Sequence, residues 1–212
     1  MKRSKITILL AIVLGMTFHS CLDLEPQDQL GGKNMWTSVN DYKQFANTFY
    51  SWTRDFSSVV YDGTHSDKRS DLITYQSYNE FSRGINSIPS SDANYTDNYK
   101  HIRRTNLLLQ NAEAYAKPED IKQYIGEAYF FRAYSYFDLL QLYGDVIITK
   151  KPLDITDPEM KVKRNDRSEV VDLIIDDLNH AVENLPAFKE LTTEEEGRIS
   201  KEGAQAFLSR VA

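Results

Sequence analysis

The residues best suited to chemistry lie between residues 55 and 94, where the sequence loses helical and strand periodicity. Aromatic and polar side chains stand close together there: Tyr61, Tyr75, Tyr78 and Phe81 beside Asp67, Arg69, Asp71, Gln76, Asn79 and Arg83. A ring face packs against the apolar C–H face of a sugar, while polar neighbours pair with its hydroxyls. A connection of about forty residues is more often functional than accidental. The stretch predicts a surface for a neutral glycan; alternatively, its tyrosines pack the loop onto the body of the protein.

Other kinds of site find less support in the sequence. Nothing marks a pair of carboxylates at glycosidase spacing, and the four histidines form no triad. His65 has no second ligand at zinc spacing, and Asp62, Asp67 and Asp71 lack the order of a calcium loop. The net charge of −6 gives no attraction to nucleic acid phosphates. We therefore expect a protein that is not an enzyme, with no metal, no cofactor and no nucleic acid partner.

The N-terminus has the pattern of an exported lipoprotein. Three basic residues precede an apolar run over residues 6–16, which is too short to span a bilayer. Ser20 stands before Cys21, the single cysteine, in a stretch that resembles a lipobox with Phe18 replacing the usual leucine. We predict a signal peptide over 1–20, acylation of Cys21 and a lipid-anchored acidic tether over 21–36. The alternative is a secreted protein that is cleaved nearby and keeps a free thiol.

The remaining chain predicts helices. Pro118 and Gly144 bound about 23 residues without a helix breaker, apolar on nearly every side, as in an inner helix of stacked helical hairpins. The alternative is an ordinary core helix of any α-domain. Arg132 falls on its buried side and needs a partner. Asn106, between two apolar positions of the preceding helix, is expected to be buried and hydrogen-bonded.

Two further helices begin at capping residues. Ser38 and Asp41 form a capping box before an amphipathic helix that reaches about Trp52. Another helix begins at Asp166. In that helix Val171, Ile174, Ile175, Leu178, Val182 and Leu185 are predicted to face inward, and Asp172, Asp176, Asp177 and Glu183 to face water. The stretch from Gly197 to Ala204 opens a last helix. The predicted fold class is all-α.

Three motifs resemble one known family. The central helix carries Gly126-Glu127-Ala128-x-x-x-Arg132-Ala133-x-x-Tyr136-Phe137-Asp138-Leu139-x-x-x-Tyr143-Gly144-Asp145-Val146, similar to the signature of SusD-like (RagB/SusD) proteins. Arg104-x-Asn106 and the stretch from Gly197 to Ala204 resemble two further family segments. The resemblance implies tetratricopeptide-like hairpins stacked in a right-handed array with a long irregular loop insertion. It also assigns structural roles to Arg132, Asn106, Gly144 and Asp145.

The resemblance also implies a function. Family members are surface-exposed, lipid-anchored nutrient-binding proteins of Bacteroidetes outer membranes, which bind oligosaccharides or polysaccharides without cleaving them and cap a SusC-type TonB-dependent transporter. On this basis Tyr75, Tyr78 and Asn79 are the first candidate glycan-binding residues, and Arg69 is the next candidate. Residues 37–212 would form the N-terminal helical-repeat domain, since members run longer and add further ligand surface. The alternatives are a family member that captures peptides, and a helical-repeat scaffold that binds only protein.

Overall fold

The computed structural model describes residues 35–54, 83–85, 87–154 and 156–212. Those residues contain five α-helices: α1 Val39–Asn47, α2 Ala93–Glu113, α3 Lys122–Tyr143, α4 Arg167–Asn184 and α5 Lys201–Val211. Short 3-10 turns cover Thr48–Trp52, Pro118–Ile121, Pro158–Lys161, Phe188–Glu190 and Thr193–Glu195. The only extended pairing in these described ranges is a single bridge between Val146 and Asn165. The all-α prediction is confirmed.

Local chemistry explains where the helices begin and end. Ser38 caps α1 through the Asp41 backbone N–H at 3.3 Å, and the Asp41 carboxylate accepts from the Ser38 N–H at 2.8 Å. At the start of α4, the Glu169 carboxylate accepts from the backbone N–H of Asp166, the residue before the helix, at 3.0 Å. Gly144 ends α3 with a φ of +70°, a conformation that costs glycine little. These predicted boundaries are confirmed.

Helix α3 is the inner helix, and 13 of its 22 residues are buried. It runs antiparallel to α2, because Tyr95 near the start of α2 contacts Tyr143 at the end of α3, with ring centroids 5.2 Å apart. It also runs antiparallel to α4. Gly126 near its start approaches the end of α4 so closely that an added Cβ would lie 3.0 Å from Leu185. Buried side chains on α3 therefore contact both neighbouring helices.

The buried face of α4 differs from the predicted one. Val170, Leu173, Ile174, Asp177, Leu178 and Ala181 are buried, whereas Val171, Ile175 and Val182 are partly exposed. The prediction that Asp177 faces water is wrong, because this side chain is fully buried. The reason is electrostatic: a buried arginine on α3 needs a carboxylate opposite it, and that contact fixes the rotation of α4.

Within the described ranges, no helix combines the length and apolar character needed to cross a membrane.

Candidate functional site

Helix α3 carries three buried charged side chains, and each pairs with a different part of the chain. The pairs are Glu127 with Arg198, Arg132 with Asp177, and Asp138 with Arg54. An unpaired buried charge costs several kcal/mol, roughly 3–5 when one partner is removed. The pairs therefore fix the positions of α4, of the segment before α5 and of the segment after α1 relative to α3.

The first group is the Arg132 triad, formed by Arg132, Asp177 and Asn106. Arg132 donates from Nε and Nη2 to the two Asp177 oxygens at 2.8 and 2.6 Å, and from Nη1 to Asn106 Oδ1 at 2.8 Å. The Asn106 amide donates to the carbonyls of Thr149 at 2.9 Å and Lys151 at 3.3 Å. Burial raises the pKa of Asp177, and the hydrogen bonds from Arg132 oppose that rise. The triad joins α2, α3, α4 and the connection after α3.

The second group is the Arg198 triad, formed by Arg198, Glu127 and Asn47. Arg198 donates from Nε and Nη2 to the two Glu127 oxygens at 2.7 Å each, and from Nη1 to Asn47 Oδ1. Its guanidinium also lies over the Tyr50 and Tyr124 rings, 5.2 and 5.4 Å from their centroids. This triad joins α1, α3 and the segment before α5.

The other sequence-predicted residues fall into two sets. Gly144 and Asp145 form the turn after α3, and Asp145 Oδ1 accepts from the Arg167 backbone N–H at 3.1 Å, at the start of α4. The second set lies outside the described residues, so the roles of its members remain predictions: Cys21, Arg69, Tyr75, Tyr78 and Asn79.

A cavity of about 490 Å3 lies between α2 and the connection after α3. We call it the tyrosine cavity, because the rings of Tyr95 and Tyr99 line it with their centroids 4.8 Å apart. Tyr99 fixes the opposite wall: its hydroxyl donates to the Ile147 carbonyl at 2.8 Å and accepts from the Ile147 N–H at 2.9 Å. Arg103 also donates to the Leu153 carbonyl. Both walls are therefore positioned before any ligand arrives.

A second, more polar cavity of about 380 Å3 lies among α2, α3 and α4. Gln110, Tyr129, Arg132 and His180 line it, and the Tyr129 and His180 rings stack with centroids 4.8 Å apart. Lys151 lines both cavities. The connection after α3 therefore separates an aromatic cavity from a polar one.

The contacts that form the two cavities could not be predicted from single sequence positions. Tyr95 and Tyr99 are four residues apart and so share one face of a helix, which is a usable sequence signal. The wall opposite them comes from a segment without periodicity. Within the described residues, no group of three or more His, Cys, Asp or Glu side chains could hold a metal ion.

Comparison with known proteins identifies the class of this scaffold. Residues 22–212 match the model of a SusD-like family described as starch-binding and associating with the outer membrane. This chain belongs to the SusD-like family.

Individual relatives agree with that membership. Two SusD-like proteins of Formosa agariphila are 28% and 27% identical to this chain over 204 and 203 residues. These matches cover 87% and 88% of this chain, which spans only 38% and 39% of the two relatives.

Solved structures show the same helical arrangement. A SusD-like protein from Bacteroides fragilis is 27% identical, with a TM-score of 0.71 over 88% of this chain and 37% of its own. A laminarin-binding SusD-like protein is 30% identical, with a TM-score of 0.55 over 62% of this chain and 28% of its own.

Proposed function

We propose that this protein is a surface-exposed lipoprotein that binds glycans without cleaving them and delivers them to a SusC-type TonB-dependent transporter. Cys21 carries the lipid anchor, and Tyr75, Tyr78, Asn79 and Arg69 contribute to the glycan-binding surface. The observation that carries this proposal is the match of residues 22–212 to a family described as starch-binding and associating with the outer membrane.

The electrostatics of α3 and its partners favour binding over catalysis. A glycosidase needs one carboxyl group that can donate a proton and a second that acts as base or nucleophile. The three buried carboxylates of the described chain, Glu127, Asp138 and Asp177, are each ion-paired with an arginine. Their role is to hold the scaffold together.

The first glycan to test is laminarin, because a laminarin-binding SusD-like protein resembles this chain at 30% identity. Rigid aromatic and polar groups on a preformed surface suit such a ligand, since little conformational entropy is lost on binding. Starch and its fragments come next, from the description of the family.

Calorimetry tests the binding function directly. The protein from residue 22 onward is titrated with laminarin, starch fragments and a set of peptides, and then Tyr75→Ala and Tyr78→Ala are measured in the same way. Loss of a stacking ring should weaken glycan binding about tenfold, or about 1.4 kcal/mol. Phe188→Ala is the matched control, because Phe188 is an aromatic residue with 70% of its surface exposed.

The possible outcomes separate the alternatives. Glycan binding that is unaffected by Tyr75→Ala and Tyr78→Ala would support the proposed function but would show that the binding site lies elsewhere. Binding of peptides alone would replace the ligand class. Binding of neither, with the fold intact by circular dichroism, would favour a scaffold for protein partners.

Two further measurements test the anchor and the partner. Incorporation of a labelled fatty acid should be lost in Cys21→Ser. Co-purification with the transporter from native outer membranes should persist in Tyr75→Ala, because that residue is assigned to the glycan. Failure to recover any TonB-dependent transporter would contradict the delivery role.

A further inference from the structure

The tyrosine cavity differs from a surface groove because polar contacts from several directions fix its walls. Tyr95 packs edge-to-face on Tyr143, whose hydroxyl donates to Asp92 at 2.7 Å. Tyr99 bonds both backbone groups of Ile147, as described above. The cavity is therefore preformed, and a ligand loses little free energy to reorganisation of the protein on entry.

The lining of the cavity has two chemical parts. The apolar part consists of the two tyrosine rings and of Ile147, Leu153 and Met160. The polar part, called the rim below, includes two threonines, Thr96 and Thr149. A ligand that fits must present an apolar face to the rings and hydrogen-bonding groups to the rim.

The three cations that line the cavity are each paired with a carboxylate. Lys100 pairs with Asp97 at 2.7 Å, Lys151 with Glu159 at 2.6 Å, and Arg103 with Asp154 at 3.4 Å. Each cation that lines the cavity is thus compensated by a neighbouring carboxylate, and one of these carboxylates, Glu159, lines the cavity itself. The same pairs supply donors and acceptors side by side, which matches a hydroxyl group because it both donates and accepts.

We propose that the tyrosine cavity binds an uncharged mono- or disaccharide unit of a glycan, as a subsite in addition to the candidate residues Tyr75, Tyr78, Asn79 and Arg69. The inference rests on the proposed glycan-binding function and assigns a place and a charge class within it. The cavity volume of about 490 Å3 falls within the range of roughly 300–1,000 Å3 that small-molecule sites occupy. The sugar ring lies on the Tyr95 and Tyr99 faces, and its hydroxyls bond the paired rim residues.

A substitution that fills the cavity gives the sharpest test. Thr96 is exposed on α2 and lines the cavity, so Thr96→Trp occupies the space without removing a ring or an ion pair. Gln110→Trp is the matched control, because Gln110 is also exposed on α2 but lines the polar cavity. Thermal unfolding followed by circular dichroism checks that both variants keep the parent fold.

The probes are glucose trisaccharides with α and β linkages, a trisaccharide of uronic acids, and a short peptide with an aromatic side chain. Calorimetry on the protein from residue 22 onward should show a neutral trisaccharide binding at least tenfold more weakly to Thr96→Trp, with Gln110→Trp unchanged. The uronic acid trisaccharide should bind the parent protein at least tenfold more weakly than the neutral one.

The results distinguish failure of this inference from failure of the proposed function. Neutral glycan binding that is equal in the parent and Thr96→Trp, but lost in Tyr75→Ala, overturns the subsite and leaves the function standing. Tighter binding of the uronic acid trisaccharide overturns the assignment of an uncharged ligand. A peptide that binds and is blocked by Thr96→Trp overturns the sugar assignment. Failure of the parent protein to bind any glycan overturns both proposals.

Discussion

The two arginine–carboxylate–asparagine triads on α3 use the same residue types in opposite orientations. In the Arg132 triad the arginine lies on α3, and the carboxylate and asparagine come from α4 and α2. In the Arg198 triad the carboxylate lies on α3, and the arginine and asparagine come from segments 151 residues apart in sequence. The Arg132 side chain is 6% exposed and Arg198 is 10% exposed, but the asparagines differ far more, since Asn106 is buried and Asn47 is exposed.

That difference indicates separate roles for the two triads. The Arg132 triad lies between three helices. Its Asn106 also hydrogen-bonds the connection after α3, which is the wall that the two cavities share. The Arg198 triad attaches the segment before α5 to the end of α1 and to α3. We therefore expect the first triad to control global stability and the second to control local opening of the C-terminal segment.

The largest effect should come from Arg132→Met. This change leaves Asp177 buried without its cation, so the free energy of unfolding should fall by about 3–5 kcal/mol. Urea unfolding followed by circular dichroism measures the loss. The double variant Arg132→Met/Asp177→Leu should recover most of it, because no buried charge remains. A loss below about 1 kcal/mol in the single variant would show that the triad does not limit global stability.

Arg198→Met should have a smaller and more local effect. Glu127 loses its cation, but the segment before α5 can move away and admit water, so we expect a loss of about 2–3 kcal/mol. Hydrogen exchange should then accelerate in residues 198–211 while α2, α3 and α4 keep their protection. In Arg132→Met the same experiment should show all helices losing protection together. Equal acceleration everywhere in both variants would remove the distinction between the triads.

The sequence predicted the helices better than it predicted these contacts. Capping residues such as Ser38, Asp166 and Gly144 act within a few positions, so they can be recognised without the fold. The need of Arg132 for a partner was also predictable from its place on an apolar helix. Its partner was not, because Asp177 is 45 residues away and its contact depends on the rotation of α4.

The tyrosine cavity shows the same limit. The spacing of Tyr95 and Tyr99 predicts that their rings share a helix face, but the opposite wall has no sequence pattern. Side chains of α2 and α3 position that wall: Tyr99 bonds Ile147, Asn106 bonds Thr149 and Lys151, and Tyr136 accepts from the Thr149 N–H at 2.7 Å. Such a wall can be recognised only when the positions of α2 and α3 are both known.

The two asparagines offer a matched comparison within the triads. Asn106→Ala removes an acceptor from Arg132 and a donor from two carbonyls in a buried place, so we expect a loss of about 2 kcal/mol. Asn47→Ala removes one exposed contact and should cost less than about 0.5 kcal/mol. Urea unfolding of both variants measures the difference. Equal losses would mean that burial of the asparagine does not distinguish the two triads.

The third ion pair on α3, between Arg54 and Asp138, has the titratable side chain of His101 near it. His101 stacks on Trp52 with ring centroids 4.1 Å apart, and burial lowers the pKa of His101 to about 4. Asp97 and Asp138 oppose this lowering, while Arg104 and Lys100 add to it. Below the ordinary histidine pKa the unfolded chain binds a proton that the folded chain does not. The contribution of His101 to stability is therefore level above about pH 6.5 and falls as the pH drops toward 4.

His101→Phe isolates this smallest effect, because phenylalanine keeps the stacking on Trp52 and cannot bind a proton. Between pH 7 and pH 5 the parent protein should lose about 1 kcal/mol more than the variant, after allowance for solvent screening. Urea unfolding at both pH values gives the two losses. Asn47→Ala measured in the same way should lose as much between these pH values as the parent, because Asn47 is exposed and His101 is unchanged in this variant. Parallel pH profiles of the parent and His101→Phe would show that the ring is accessible enough to be protonated in the folded state.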